Sequence, residues 1–243
     1  MPHADIRALA FDIFGTVVDW YGSIAAEVAR AGLAADGGRF ALDWRAGYQP
    51  AMQQVRSGAL PWTNIDGLHR RILDDILGAR GLALPEADVA ALNRVWHRLD
   101  PWPDSAAGLA RLKQRFVLAT LSNGNLSLLV DLARHGGLPF DCVLSAELFN
   151  HYKPNPEVYL GAARLLDLAP GQVMMVAAHP SDLRAAARCG LRTAYVRRPL
   201  EKGPGGVPEP FTAGEFDITA EDFADLAQQL GCRAGPDNQE SPP

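Results

Sequence analysis

Four polar groups in this sequence follow, or lie soon after, short apolar runs of strand length. They are Asp12, the pair Ser122 and Asn123, Lys153, and the pair His179 and Asp182. An aspartate can attack carbon or phosphorus and form a covalent intermediate, and a second carboxylate can orient or deprotonate the water that resolves it. A hydroxyl and an amide before a helix can bind an anion, and a nearby ammonium can keep the nucleophile ionised. The set predicts nucleophilic catalysis by Asp12.

Each of these residues also has a structural alternative that requires no ligand. The aspartates can cap a helix or form a turn, and Ser122 with Asn123 can form an N-cap. Lys153 can be a solvated surface lysine, and His179 can be a structural or surface histidine. The catalytic interpretation rests on the whole set, because residues that follow the strands of a parallel sheet meet at one edge.

The elements that must position these residues are strands alternating with helices. The apolar runs cover residues 6–12, 116–122, 140–144, 173–178 and 193–196, and helical patterns cover 105–114, 126–136, 156–166, 181–189 and 220–230. Continuous apolar strands separated by helices are typical of a parallel sheet covered on both faces. The predicted fold class is therefore α/β, with a Rossmann-like, doubly wound parallel sheet.

Residues 17–99 break this alternation, because they contain helical patterns and no strand-like run. The helical patterns cover residues 23–31, 40–55, 64–78 and 86–99, and the proline-rich residues 100–103 predict a stiff return to the sheet. We expect an α/β core of residues 1–16 and 100–233, an inserted all-helical cap of residues 17–99, and a disordered tail of residues 234–243. Residues 198–214 carry four prolines and four glycines and are predicted to form a surface loop.

Composition excludes several classes of function. The 243 residues are 48% hydrophobic, and 23 basic against 28 acidic residues give a net charge of −5, with no basic patch for nucleic acid. No apolar run approaches the roughly 18 residues that span a membrane, and the N-terminal sequence lacks a signal-peptide pattern. The three cysteines are widely spaced and favour neither a disulfide framework nor a zinc site. We expect a cytoplasmic protein.

Four motifs resemble the haloacid dehalogenase superfamily, and the resemblance covers almost the whole chain. The motifs are DIFGT at residues 12–16, LSNG at 121–124, YKPNPEVY at 152–159 and AAHPSDLRAA at 177–186. Most members of the superfamily are phosphatases with a second aspartate two residues after the nucleophile, which protonates the leaving group. Phe14 occupies that position here and cannot donate a proton, and a halide leaving group needs none. The sequence is therefore similar to the type II, L-2-haloacid dehalogenase branch.

This resemblance implies an activity and its catalytic residues. Short 2-haloalkanoic acids would be hydrolysed to 2-hydroxy acids through an ester of Asp12, with inversion at C2 and without metal or cofactor. Arg45, in a Trp-Arg context, would bind the leaving halide together with Asn123, and Lys153 would contact Asp12. A single arginine in a cap helix can also extend along an apolar surface without binding anything.

The same resemblance implies the substrate-binding residues. Ser122 and the backbone near Ile13 and Phe14 would hold the substrate carboxylate. Thr16 would hydrogen-bond near the nucleophile. Tyr159 would lie close to the motif lysine, although core packing is an equally simple role for a tyrosine at that position.

The fourth motif departs from the usual pattern of this branch, which is roughly Ser-Ser-Asn-x-Trp-Asp. His179 stands at the asparagine position and Ser181 at the tryptophan position, whereas Asp182 is retained. We expect His179 and Asp182 to act together on the hydrolytic water. Trp62 or Tyr48 from the cap can replace the missing pocket wall, or can simply belong to the cap core.

Two other functions remain open at the level of sequence. One is a Mg²⁺-dependent phosphatase or phosphonatase of the same superfamily, which the lack of an acid at Phe14 disfavours. The other is a binding protein that retains the fold without catalysis, which the intact motifs disfavour. The expected partners are a small 2-haloacid and the halide product, and neither the preferred halogen nor a homodimer can be decided from the sequence.

Overall fold

The computed structural model describes residues 3–233, so the tail predicted at residues 234–243 lies outside the described residues. The strands are β1 (Ala8–Phe11), β2 (Val18–Asp19), β3 (Asp100–Pro101), β4 (Val117–Ser122), β5 (Cys142–Ser145), β6 (Val173–Ala177), β7 (Arg192–Val196) and β8 (Ile218–Ala220). The helices are α1 (Trp20–Arg30), α2 (Gly37–Ala46), α3 (Tyr48–Arg56), α4 (Ile65–Ala79), α5 (Glu86–Asn93), α6 (Ser105–Lys113), α7 (Leu126–His135), α8 (Pro156–Leu165), α9 (Pro180–Arg188) and α10 (Phe223–Gln229).

Six strands form one sheet in the order β5-β4-β1-β6-β7-β8, and every neighbouring pair is parallel. The predicted α/β, doubly wound fold is confirmed. Strand β1 lies between β4 and β6, and all four of its residues are buried. The chain runs outward from β1 to β4 and β5 and then returns to the other side of β1. Ligand sites in such sheets lie at the carboxyl ends of the strands where this reversal occurs.

The helical insertion begins and ends at a short two-stranded ribbon. Strands β2 and β3 pair antiparallel, with Val18 opposite Pro101 and Asp19 opposite Asp100. The sequence predicted no strand between residue 16 and about residue 104, because two residues of ribbon give no periodicity. We propose that this ribbon marks the junction between the cap and the core.

The helices of the insertion begin where their sequence provides capping side chains. The carboxylates of Asp19 and Asp36 accept hydrogen bonds from the backbone N–H groups of Gly22 and Arg39 at the starts of α1 and α2. The amide oxygen of Asn64 does the same at the start of α4. Each of these bonds satisfies a backbone donor that the first turn of a helix leaves free.

Three predicted boundaries were wrong. The pattern over residues 40–55 belongs to two helices, α2 and α3, which meet at Gly47. A Cβ at Gly47 would lie 2.5 Å from the Ile72 side chain, so this position sits close against α4. Residues 94–97 form a 3-10 turn rather than the end of a long helix. Residues 218–220, predicted partly as helix, instead form the edge strand β8 beside β7.

One continuous apolar cluster joins one face of the sheet to the helical insertion. It includes Leu9 and Phe11 from β1 and Trp44 and Trp96 from the insertion. A second cluster, which contains Ala10 and Met175, covers the opposite face. Within residues 3–233, no helix combines the length and the apolar character that a membrane crossing requires.

Candidate active site

Asp12 is held at the end of β1 by the loop that follows it. Its backbone N–H donates to the Val176 carbonyl at 3.0 Å, which extends the pairing with β6 by one residue. Gly15 has φ +82°, a backbone conformation that residues with a side chain rarely adopt. It turns the chain so that Thr16 faces back toward Asp12. The Thr16 hydroxyl donates to Asp12 Oδ2 at 2.9 Å and accepts from the Ala178 N–H at 2.9 Å. The carboxylate is therefore fixed, and the Asp12 side chain is 9% exposed.

Lys153 lies between two carboxylates. Its Nζ is 2.9 Å from Asp12 Oδ1 and 2.6 Å from Asp182 Oδ2, and all three side chains are at most 10% exposed. The Tyr159 hydroxyl donates to the other oxygen of Asp182 at 2.5 Å. The contact between Lys153 and Asp12 that the sequence predicted is present, and Tyr159 bonds to the same carboxylate, Asp182, that contacts the lysine.

These contacts keep Asp12 ionised. Burial alone would raise the pKa of Asp12, but the charges of Lys153 and His179 outweigh it and hold the pKa well below the ordinary value. Burial likewise opposes the charge of Lys153, and the two carboxylates raise its pKa. An ionised carboxylate with a fixed cation beside it is a ready nucleophile.

His179 contacts a residue that the sequence did not single out. Its Nδ1 is 3.0 Å from Asp12 Oδ2, and its Nε2 is 2.9 Å from Glu201 Oε1. Burial favours the neutral ring, but Glu201 and Asp12 raise the pKa of His179 to about 10. Burial opposes the charge of Glu201 too, and His179 lowers its pKa to about 2. The expected partnership of His179 with Asp182 is replaced by these two contacts, while Asp182 contacts Lys153 and Tyr159.

Glu201 lies in the stretch predicted as a surface loop, yet it is 7% exposed. Nothing in the local sequence, which is rich in proline and glycine, distinguishes it from the exposed acids nearby. The residues that follow Asp12, 13–17, form the nucleophile loop. Glu201 reaches His179 only because its own loop packs over the nucleophile loop at Gly15. A glutamate 22 residues after the motif histidine would be a usable signal once one such structure is known.

The strand-end residues open into a cavity of about 330 Å³ between the sheet edge and the helical insertion. Most of the residues that line it have polar side chains, and they are Asp12, Phe14, Arg45, Tyr48, Gln49, Ser122, Asn123, Lys153, Pro154, His179, Ser181 and Asp182. A larger cavity of about 520 Å³ lies between α2, α3 and α4, and none of the strand-end residues lines it. The smaller cavity is therefore the candidate active site.

Arg45 extends from α2 into this cavity. Its guanidinium carbon lies 4.4 Å from the ring centre of Tyr48 and 5.7 Å from that of Trp20. Its Nη1 is buried and has no hydrogen-bond partner among the described residues. A buried guanidinium N–H without an acceptor is costly, so this atom is suited to receive an anion.

Ser122 is the last residue of β4 and Asn123 follows it, and both occupy the opposite wall. Ser122 is fully buried, and its hydroxyl accepts from the Gly124 N–H at 3.3 Å. The side-chain oxygen of Asn123 accepts a hydrogen bond from the backbone N–H of Lys153 at 2.7 Å. The side-chain nitrogen of Asn123 lies 3.6 Å from the Met52 sulfur. Asn123 therefore connects the strand edge to the Lys153 loop and to the cap.

Phe14 forms an apolar part of the wall. Its ring packs edge-on against Trp96 and His69 and is 2% exposed. The predicted residues Ile13, Thr16 and Tyr159 are buried behind the cavity and do not line it. Of the two cap aromatics proposed to fill the pocket wall, Tyr48 lines the cavity. Trp62 instead stacks on Tyr152, with ring centres 4.7 Å apart.

Comparison with known proteins identifies a family. The family model of the haloacid dehalogenase-like hydrolases matches residues 6–190. The (S)-2-haloacid dehalogenase of Xanthobacter autotrophicus is 31% identical over 195 residues, which are 79% of this chain and 76% of that protein.

Two solved structures extend the likeness to the fold. The crystal structure of an L-2-haloacid dehalogenase superposes with a TM-score of 0.89 at 48% identity, over 93% of this chain and 99% of that one. The L-2-haloacid dehalogenase of Xanthobacter autotrophicus with chloropropionic acid covalently bound gives a TM-score of 0.80 at 25% identity, over 93% and 98%. From the matched model and these relatives, the chain belongs to the haloacid dehalogenase-like hydrolase family.

Proposed function

We propose that this chain is a hydrolase of carbon–halide bonds that converts short 2-haloacids to 2-hydroxy acids. The observation that carries the proposal is the buried, ionised Asp12 carboxylate at a small cavity with Lys153 beside it and Phe14 in place of a leaving-group acid. The relatives named as (S)- or L-2-haloacid dehalogenases support the same substrate class.

The first half-reaction follows from the charges around the cavity. An oxygen of Asp12 attacks the carbon that bears the halogen, and the bonding pair leaves with the halide, so that an ester of Asp12 forms. Arg45 offers the departing anion a buried N–H that has no hydrogen-bond partner within residues 3–233. Fixed positive groups aimed at developing charge are commonly the largest contribution to catalysis. The proposed attack from the side opposite the halogen inverts the configuration at that carbon.

The second half-reaction restores the nucleophile. Water attacks the carboxyl carbon of the Asp12 ester, the bond from that carbon to the ester oxygen breaks, and the 2-hydroxy acid leaves. Asp182 lies next to Lys153 at the cavity and is the proposed acceptor of the water proton. The relative with covalently bound chloropropionic acid supports such an intermediate.

Ser122 is proposed to bind the substrate carboxylate together with the backbone N–H of Phe14, since both residues line the cavity, whereas Ile13 lies behind the cavity wall. Asn123 is proposed to contact the halide from the other side of the cavity. Thr16 and Tyr159 lie behind the cavity, so we propose that they position Asp12 and Asp182 and do not touch the substrate.

The decisive experiment is halide release from a panel of fluoro-, chloro- and bromo-substituted acetates and 2-propionates, using both enantiomers of each chiral acid, in EDTA. We expect wild type to release halide and Asp12→Asn to release none. A single turnover in ¹⁸O-labelled water should place label in Asp12, because water attacks the enzyme carboxyl carbon. Label found only in the product hydroxyl would contradict the ester, and Mg²⁺-dependent phosphatase activity without halide release would contradict the whole proposal.

A further inference from the structure

The ring of His179 lies between two carboxylates, and this arrangement fixes its charge. Asp12 Oδ2 is 3.0 Å from Nδ1, and Glu201 Oε1 is 2.9 Å from Nε2. Ionised carboxylates only accept hydrogen bonds, and a neutral imidazole has only one N–H to donate. Both contacts can be hydrogen bonds only if both ring nitrogens carry protons. His179 is therefore an imidazolium while Asp12 and Glu201 are both ionised.

Glu201 is built into the site and is not a mobile surface acid. The Trp20 Nε1–H donates to the same oxygen, Oε1, at 3.1 Å. The side chain packs directly on Gly15, where an added Cβ would lie 2.5 Å from Oε1. Arg198 ties this loop to the nucleophile loop through the Thr16 carbonyl at 2.8 Å. The carboxylate is therefore fixed relative to Asp12.

The role of Glu201 becomes specific once Asp12 is esterified. The ester has no charge, so the negative partner of His179 at Nδ1 disappears. Lys153 and Arg45 are cations at the same cavity, and Asp182 is engaged by Lys153. A buried imidazolium without a counter-ion would lose its proton, because burial disfavours the charged form. Glu201 is the carboxylate that remains in contact with the ring at that stage.

We propose that Glu201 is a positioning residue that keeps His179 protonated through the ester stage, so that His179 acts as a fixed cation and not as a base. The proposal rests on the proposed function. As water bonds to the carboxyl carbon of the ester, its proton passes to Asp182 and the carbonyl electron pair moves to oxygen. The imidazolium beside the Asp12 carboxyl group stabilises this negative charge. The bond between that carbon and the ester oxygen then breaks, the leaving alkoxide takes the proton held by Asp182, and the proton of the added hydroxyl is released to solvent as the Asp12 carboxylate returns.

The charge of His179 can be measured without any turnover by ¹⁵N NMR of histidine-labelled protein across pH. Asp12→Asn removes the charge of Asp12 as esterification does, and leaves Glu201 in place. We expect His179 to stay an imidazolium to pH 8 or above in wild type and in Asp12→Asn. In the double variant that combines Asp12→Asn with Glu201→Gln, the midpoint of the His179 titration should fall to about pH 6.5 or below. A neutral His179 in Asp12→Asn at pH 7, or an unchanged midpoint in the double variant, would overturn the proposal.

Kinetics supply a second readout that a merely structural role would not produce. In Glu201→Gln, halide release in the first turnover should stay within about threefold of wild type, whereas kcat should fall by about 100-fold, which is the usual cost of losing one charge-stabilising group. The ester should then accumulate as a mass adduct on the protein. Glu201→Asp should restore part of kcat. Equal loss of both phases, or no accumulated ester, would contradict the proposal.

Glu209→Gln is the matched control. It removes a carboxylate of the same loop that contacts Arg184, and it should leave both first-turnover halide release and kcat unchanged. If wild type released no halide, the proposed function would fail, and the NMR titration would still decide whether Glu201 sets the charge of His179.

Discussion

The ring of Phe14 packs edge-on against the ring of Trp96, with centroids 5.5 Å apart and planes at 84°. Phe14 belongs to the nucleophile loop and Trp96 to the helical insertion, so this contact joins the two parts of the chain directly beneath the cavity. It fills with apolar surface the position where an acid would otherwise reach the leaving group. The same packing makes the position sensitive to substitution.

Phe14→Asp should destabilise the protein and should not create a phosphatase. A carboxylate there would lose the aromatic packing and would be buried without a partner of its own, at a cost of about 3 kcal/mol or more. The control is Phe14→Leu, which keeps an apolar side chain and should cost only about 1 kcal/mol. Urea unfolding measures both changes. A stable protein with Mg²⁺-dependent phosphatase activity in Phe14→Asp would contradict this prediction.

Lys153→Met should nearly abolish halide release. It should also move the acid limb of the pH–activity profile to higher pH. Burial raises the pKa of Asp12, and the charges of Lys153 and His179 lower it. Without the lysine the pKa should rise toward its ordinary value of 3.8 or above. Activity should fall by about 100-fold or more, and the loss of activity at low pH should begin at a higher pH than in wild type. Lys153→Arg keeps the charge and should retain the wild-type acid limb, so an identical limb in Lys153→Met would contradict this account.

Arg45→Met should slow halide release by about 100-fold, because a buried N–H donor for the leaving anion is lost. Arg80 provides a matched control. It is also a cap arginine stacked on an aromatic ring, at 4.8 Å from the centre of Phe40, and it does not line the active-site cavity. Arg80→Met should leave kcat unchanged. Product inhibition by halide should also weaken in Arg45→Met alone, and equal inhibition in both variants would argue against a halide contact.

The His179–Glu201 pair should make stability depend on pH at both ends of the range. The pKa of His179 is raised from 6.5 to about 10. Its contribution to the free energy of unfolding is therefore complete below pH 6.5 and is lost as pH rises toward 10. The pKa of Glu201 is lowered from 4.5 to about 2, so its contribution is complete above pH 4.5 and is lost as pH falls toward 2.

The free energy of unfolding of wild type should therefore exceed that of His179→Asn by the largest margin between pH 4.5 and 6.5. The margin should shrink steadily above pH 6.5. Guanidinium titrations of the two proteins at several pH values measure it. A margin that stayed constant from pH 5 to pH 9 would show that His179 carries no stabilising charge.

The sequence by itself determined the sheet and most of the candidate site. Apolar runs bounded by polar residues located β1, β4 and β6, because a strand buried on both faces has a pattern that is local in sequence. Since the ends of parallel strands share one edge, Asp12 and Ser122 could be placed together without coordinates. Phe14 indicated the type of leaving group through the resemblance to a superfamily in which that position usually carries an acid.

Only the tertiary structure decided which charges surround His179. Glu201 contacts His179 across 22 positions of sequence, and this separation leaves no periodic signal. The burial of Glu201 arises because its loop folds over Gly15, which a sequence rich in proline and glycine does not reveal. Electrostatic effects depend on separation and burial in space, so the protonation of His179 became readable only when both of its neighbours were in place.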